Sequence, residues 1–223
     1  MMFTNKLREE NDDIFQMIFH HPFVQGIGIG EISHQSLAHY VKGDFEYLNA
    51  FMRIYGIAIA KSKRREDISY FFNRIYFILN DEAHPHHNFC NYLGLKYVDL
   101  QGYSLPPTAD HYVKHMLYHA QLGTSGELLG VLLPCPWTYF EIGQELMKQY
   151  KPTSNHPFYE WITFYASPSS ETMTANMRNR LDQLAEKASN EELNKISEAF
   201  RKSCQLEFKF WEMAYRCEEW PGK

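Results

Sequence analysis

The chain has 223 residues, 44% apolar and 16% aromatic, with a formal net charge of −5 at pH 7. That share of apolar residues can fill one sizeable core, so a single domain over 1–223 is the simplest expectation. Lys and Arg are dispersed, and the densest basic run, KSKRRED at 61–67, ends in two acids; nothing resembles the basic stripe of a nucleic-acid binder, nor the run of about 20 apolar residues that spans a bilayer.

The first fifteen residues are polar and amphipathic, with no apolar signal core, and a cytoplasmic location is expected. From there the apolar rhythm is helical throughout. It predicts helices over roughly 4–19, 34–61, 66–94, 108–122, 125–133, 136–149, 156–166, 170–187 and 190–216. GIGIG at 26–30 has no strand before it and no Gly-Lys-Ser/Thr after it. It therefore reads as a turn between the first two helices and not as a phosphate loop. Thr124-x-x-Glu127 and Ser189-x-x-Glu192 have the form of capping boxes. No alternating run argues for a strand, and the expected fold is an all-α helical bundle.

Two carboxylates interrupt apolar stripes. Leu37, Val41, Leu48, Phe51 and Tyr55 form one face of the second predicted helix, and Asp44 occupies the missing place. Ile196, Phe200, Cys204, Trp211 and Ala214 form a face of the last helix, and Glu207 falls on it. An acid facing a core is costly unless it is bonded or paired. A structural hydrogen bond explains either one; a shared polar pocket explains both. Buried acids with raised pKa are suited to donating protons near neutral pH.

LLPCPWTYFEIG at 132–143 frames Cys135 between Pro134 and Pro136. Proline disfavours helix at the residue before it yet suits a helix start, so a new helix is expected to begin at Pro136. Cys135 then lies at a helix N-terminus, where the dipole and free amides favour a thiolate. Cys90, Cys204 and Cys217 have no such frame and read as inert core or surface thiols. Glu82 with His86, and His111, His115 and His119, have spacings also seen in metal helices. The later helices lack the Glu-x-x-His motifs a di-iron centre needs, so no metal site is assigned.

With Asp44, Cys135 and Glu207 in place, the chain resembles the thiaminase II (TenA) family along nearly its whole length. The matching segments are HPFVQGIGIG (21–30), Asp44-x-x-Tyr47-Leu48, Glu82-x-x-x-His86, LLPCPWTYFEIG (132–143), WITFY (161–165) and EFKFWEMAYR (207–216). The resemblance implies a haem-oxygenase-like fold, a homotetramer and hydrolysis of 4-amino-2-methylpyrimidines at a 5-methylene leaving group, releasing hydroxymethylpyrimidine for thiamine salvage. It implies Cys135 as nucleophile, Glu207 as proton donor, Asp44 as the grip on the pyrimidine amino group, and Tyr47 and Tyr112 beside the thiol. It further implies Tyr139 and Tyr165 as substrate-binding residues, Phe210 as a pocket wall, and Glu82 with His86 as support. No metal or organic cofactor is required by that chemistry. Phe140, where a second tyrosine is common, and Pro136 depart from the family pattern without removing a catalytic group. Two other functions stay open at this point: a di-iron oxidase on the same architecture, and a non-enzymatic regulatory protein.

Overall fold

A computed structural model of the protein describes residues 2–81 and 83–222, and the regular elements among them are all helical. Several boundaries differ from the sequence expectation, each for a local reason. The predicted helix over 4–19 is two, α1 (Phe3–Glu10) and α2 (Asp12–Phe19). Asn11 divides them: its side-chain amide donates to Leu7 O at 2.7 Å, competing with the backbone ladder.

GIGIG is not a turn. It forms the end of α3 (Pro22–Ile29), capped at its start by His21 Nδ1, which accepts from Phe23 N at 3.2 Å. Gly30 ends the helix in the left-handed region at φ 88°. Gly28 is needed for close approach, since a Cβ there would lie 2.3 Å from the Tyr150 ring.

The second predicted helix is α4 (His34–Lys61), with Ser33 as its cap. The expected helix over 66–94 divides into α5 (Arg65–Asn80) and α6 (Ala83–Leu93), and Glu82, between them, lies outside the described residues. A 3-10 turn (Tyr97–Leu100) follows, then α7 (Pro107–Leu122) and α8 (Ser125–Leu132). Next come α9 (Pro134–Tyr150), α10 (Tyr159–Tyr165), α11 (Pro168–Ala185) and α12 (Asn190–Arg216).

Thr124 and Ser189 cap as expected, each accepting from the backbone amide three residues on at 3.2 Å. The Glu127 carboxylate, however, turns to His119 Nδ1 at 2.9 Å. His115 Nε2 meets Ala199 O at 3.2 Å, so this part of the histidine row ties α7 to its neighbours.

The long helices α4 and α12 pack against each other at the centre, with α7, α8 and α9 around them. Asp44 and Glu207 therefore face inward, at 4% and 3% exposure. Behind the site, α9 meets the end of α10 at Gly143, where a Cβ would lie 2.5 Å from Ala166 N and 2.8 Å from the Tyr165 carbonyl carbon. Backbone atoms cannot rotate away. Gly143→Ala is expected to lower the melting temperature, overpacking of this kind costing about 1–3 kcal/mol. Helix propensity alone favours alanine by about 1 kcal/mol, so a melting temperature above wild type would show this joint to be loose.

Candidate active site

Cys135 reaches the site through an unusual helix start. Leu133 is already helical at φ −64° and ψ −37°, and α9 begins at Pro134 instead of Pro136. Cys135 is thus the second residue of the first turn, flanked by two prolines that have no N–H to leave unsatisfied. The first turn makes no demand on the amides these prolines lack, so it tolerates both, and Cys135 is helical despite the crowding by the Pro136 ring. The same prolines reduce the free donors there, so the cysteine has the helix dipole and little of the amide cradle the sequence suggested.

The thiol is half-buried on a narrow cavity of about 20 Å³. Asp44 from α4, Tyr139 from α9 and Tyr165 from α10 line the same cavity. Phe210 lies behind this wall, its ring 5.4 Å from that of Tyr47.

Tyr47, Tyr112 and Glu207 form a buried polar chain leading back from the thiol. Tyr47 is hydrogen-bonded to Cys135, and Tyr112 to Tyr47. Tyr112 then donates to Glu207 Oε1 at 2.7 Å. Thr138, on α9 three residues after the cysteine, places its hydroxyl 3.4 Å from Glu207 Oε2 and 3.2 Å from Cys135 O. Burial, reinforced by nearby negative charge, holds both phenols well above the usual tyrosine range. They remain O–H donors at any working pH.

Glu207 is pushed from 4.5 to about 8. Burial is the main cause, the charge on Asp44 adds to it, and the hydrogen bonds from Tyr112 and Thr138 oppose it. At pH 7 Glu207 is a neutral acid with a proton to give.

Asp44 belongs to a second chain of polar groups. Its Oδ2 lies 2.7 Å from His86 Nε2, and His86 Nδ1 lies 2.9 Å from Tyr97 Oη. Tyr40 donates to the same Asp44 oxygen at 3.4 Å and lies 2.9 Å from the Tyr139 hydroxyl. The sequence reading paired His86 with Glu82; among the described residues, His86 joins Asp44 and Tyr97. No group of three or more His, Cys, Asp or Glu side chains suited to holding a metal gathers among the described residues.

Some of the cavity wall escaped the sequence reading. Arg74 from α5 lines it at 8% exposure, its guanidinium carbon 5.0 Å from the Phe77 ring centroid. Phe71, Arg74 and Ile78 are the buried residues of α5, so Arg74 interrupts an apolar stripe just as Asp44 does. Reading 66–94 as one continuous helix hid that signal. Ser170 and Met173 of α11 complete the rim.

The other thiols are differently placed. Burial pushes Cys90 up to about 11 and Cys204 well above its ordinary range. Cys217 lies 3.8 Å from the Ser36 hydroxyl, away from the cavity.

A family model described as the TENA/THI-4/PQQC family matches residues 8–217. The chain belongs to that family. A relative from Halalkalibacterium halodurans, named Aminopyrimidine aminohydrolase, is 33% identical over 221 residues, which are 99% of this chain and 98% of that protein. The solved TenA homologue from P. horikoshii OT3 is 26% identical and superposes with a TM-score of 0.84, covering 97% of this chain and 99% of its own. A Shewanella denitrificans domain with a haem-oxygenase-like fold covers 96% of this chain and 92% of its own at a TM-score of 0.67. At 11% identity it shares the fold alone. The TENA/THI-4/PQQC chain is thus an all-α, haem-oxygenase-like bundle, with Cys135 and Asp44 opening on one cavity and Glu207 connected to the thiol from behind.

Proposed function

We propose that this protein is an aminopyrimidine aminohydrolase of the thiaminase II type, releasing 4-amino-5-hydroxymethyl-2-methylpyrimidine for thiamine salvage. One observation carries the reading: a half-buried thiol and a buried carboxylate line one cavity, and a neutral glutamic acid joins that thiol through two tyrosines. The name of the Halalkalibacterium halodurans relative supports it.

An aminopyrimidine is too electron-rich to lose its 5-methylene substituent unaided. Glu207 gives its proton to a ring nitrogen, and the Cys135 thiolate adds to a carbon of the activated ring. Electrons returned through the ring break the bond to the leaving group, which departs as neutral thiazole from the thiazolium, or as ammonia from an aminomethyl group bound in its ammonium form. Water adds to the exocyclic methylene and loses a proton. The thiolate is then expelled and the ring N–H proton returns to Glu207.

Asp44 accepts from the 4-amino group and sets the ring's orientation. Tyr139 and Tyr165 form the wall against which it lies, and Phe210 backs the pocket through Tyr47. Tyr47 and Tyr112, kept as phenols, stabilise the thiolate and connect it to Glu207. A water-poor cavity strengthens each of these directed bonds.

Among the described residues no helix is long and apolar enough to cross a membrane, and a working thiol needs a reducing compartment, so the reading includes a cytoplasmic location. It also includes a homotetramer. Phe72, Tyr76 and Leu79 expose 59%, 58% and 63% of their surface along one face of α5, a stripe suited to burial between copies.

The test is incubation with 4-amino-5-aminomethyl-2-methylpyrimidine and, separately, with thiamine, with chromatography of the pyrimidine product. Hydroxymethylpyrimidine is expected from both, faster from the amine. Release from neither substrate would end this reading.

A further inference from the structure

The Asp44 chain extends to a residue outside the cavity wall. Tyr97 stands on the 3-10 turn, half-buried, with its ring against His86, His87 and Phe45 at centroid distances of 5.4, 4.8 and 5.6 Å. Its hydroxyl meets the one His86 nitrogen that Asp44 does not use.

A short contact between an imidazole nitrogen and a carboxylate oxygen needs a proton between them. With that proton on His86 Nε2, the neutral imidazole presents a bare lone pair at Nδ1. At 1% exposure His86 has almost no access to bulk water, so the Nδ1 acceptor must be met by the protein. Tyr97 Oη, 2.9 Å away, can donate there.

We infer that Tyr97 is a positioning residue: by donating to His86 Nδ1 it fixes the Nε2–H tautomer, whose N–H in turn holds the Asp44 carboxylate aimed at the substrate amino group. This rests on the functional reading above for Asp44's role, but not for the state of His86. Without the hydroxyl, the imidazole has two ways to relieve its buried lone pair. It can reverse its tautomer, turning a lone pair on Asp44, or it can swing its ring to another partner and let go of the carboxylate. Either outcome alters the acceptor that the aminopyrimidine meets.

Tyr97→Phe keeps the ring and removes only the donor. Multiple-bond 1H–15N spectra of the unliganded protein, with His86 assigned through His86→Gln, are expected to show a single Nε2–H imidazole in wild type. In Tyr97→Phe that pattern should give way to a mixture of Nε2–H and Nδ1–H tautomers. With aminomethylpyrimidine as substrate, Tyr97→Phe should raise KM and lower kcat/KM about tenfold, as for a buried acceptor left unmet. In the His86→Gln background the same change should cost less than about twofold, because Tyr97 then has nothing to act through.

An unchanged His86 spectrum in Tyr97→Phe, or an equal tenfold loss in both backgrounds, overturns the inference. A wild-type protein without hydrolase activity defeats the functional reading instead, and with it the role given to Asp44. The spectrum still decides whether Tyr97 sets the tautomer.

Discussion

Cys135→Ser is expected to fold as wild type does and to lose turnover by on the order of 10³-fold or more, the scale at which removing a covalent nucleophile is felt. Serine fits the space, and α9 keeps both prolines of its first turn and the Thr138 contact to the backbone carbonyl at 135. What changes is the atom that attacks. A hydroxyl bonded through Tyr47 has no general base strong enough to ionise it, because the carboxyl group at the other end of that chain is itself neutral near pH 7. The comparison is kcat/KM for aminomethylpyrimidine in the two proteins, with far-UV circular dichroism to verify folding. Activity within a few-fold of wild type would place the nucleophile elsewhere. The thiols can also be compared directly. Cys90 and Cys204 are held protonated by burial, so alkylation near pH 7 should reach Cys135 before either, and substrate should protect it.

Glu207→Gln tests the acid. It keeps the side chain's shape and the contacts with Tyr112 and Thr138, but has no proton to transfer. Turnover is expected to fall by about 10²–10⁴-fold, the usual range for losing a general acid. The pH dependence gives the sign. The reactive form of Glu207 is protonated, so wild-type kcat/KM should decline as pH rises through about 8, and Glu207→Gln should lose that limb.

Stability should also fall with rising pH, over a wider range. The folded pKa of about 8 lies above the ordinary 4.5, so between those values the native state binds more protons than the unfolded chain. Wild-type stability therefore falls from about pH 4.5 to 8 relative to the glutamine variant, which has no charge to bury. Urea midpoints at pH 5 and pH 8.5 measure it. A variant that gains nothing over wild type at the higher pH would mean that burial does not raise the Glu207 pKa in the native protein.

The helical class, the two interrupted stripes and the proline-framed cysteine were all legible in the chain, because each depends on a period of 3.6 residues or on the chemistry of adjacent residues. Inward-facing Asp44 and Glu207 could be recognised without knowing what they face. The helix ends at Asn11 and around residue 81 were less accessible. A side-chain bond to Leu7 O, or the end of α5 at Asn80, is chosen by packing and leaves the apolar rhythm nearly unbroken. Arg74 was lost with the second of these breaks.

GIGIG shows the same division from the other side. Composition favoured a turn, but α3 stays helical through Gly26 and Gly28 because Tyr150 of α9 needs the space a side chain would fill. What only the tertiary structure decided was partnership. The bonds from His86 to Asp44 and Tyr97, from Tyr112 to Glu207, and from Tyr47 to Cys135 join residues far apart in the chain. A sequence period records which way a side chain faces along its own helix. Which group it meets there, and so which acid keeps its proton, depends on how separate helices cross.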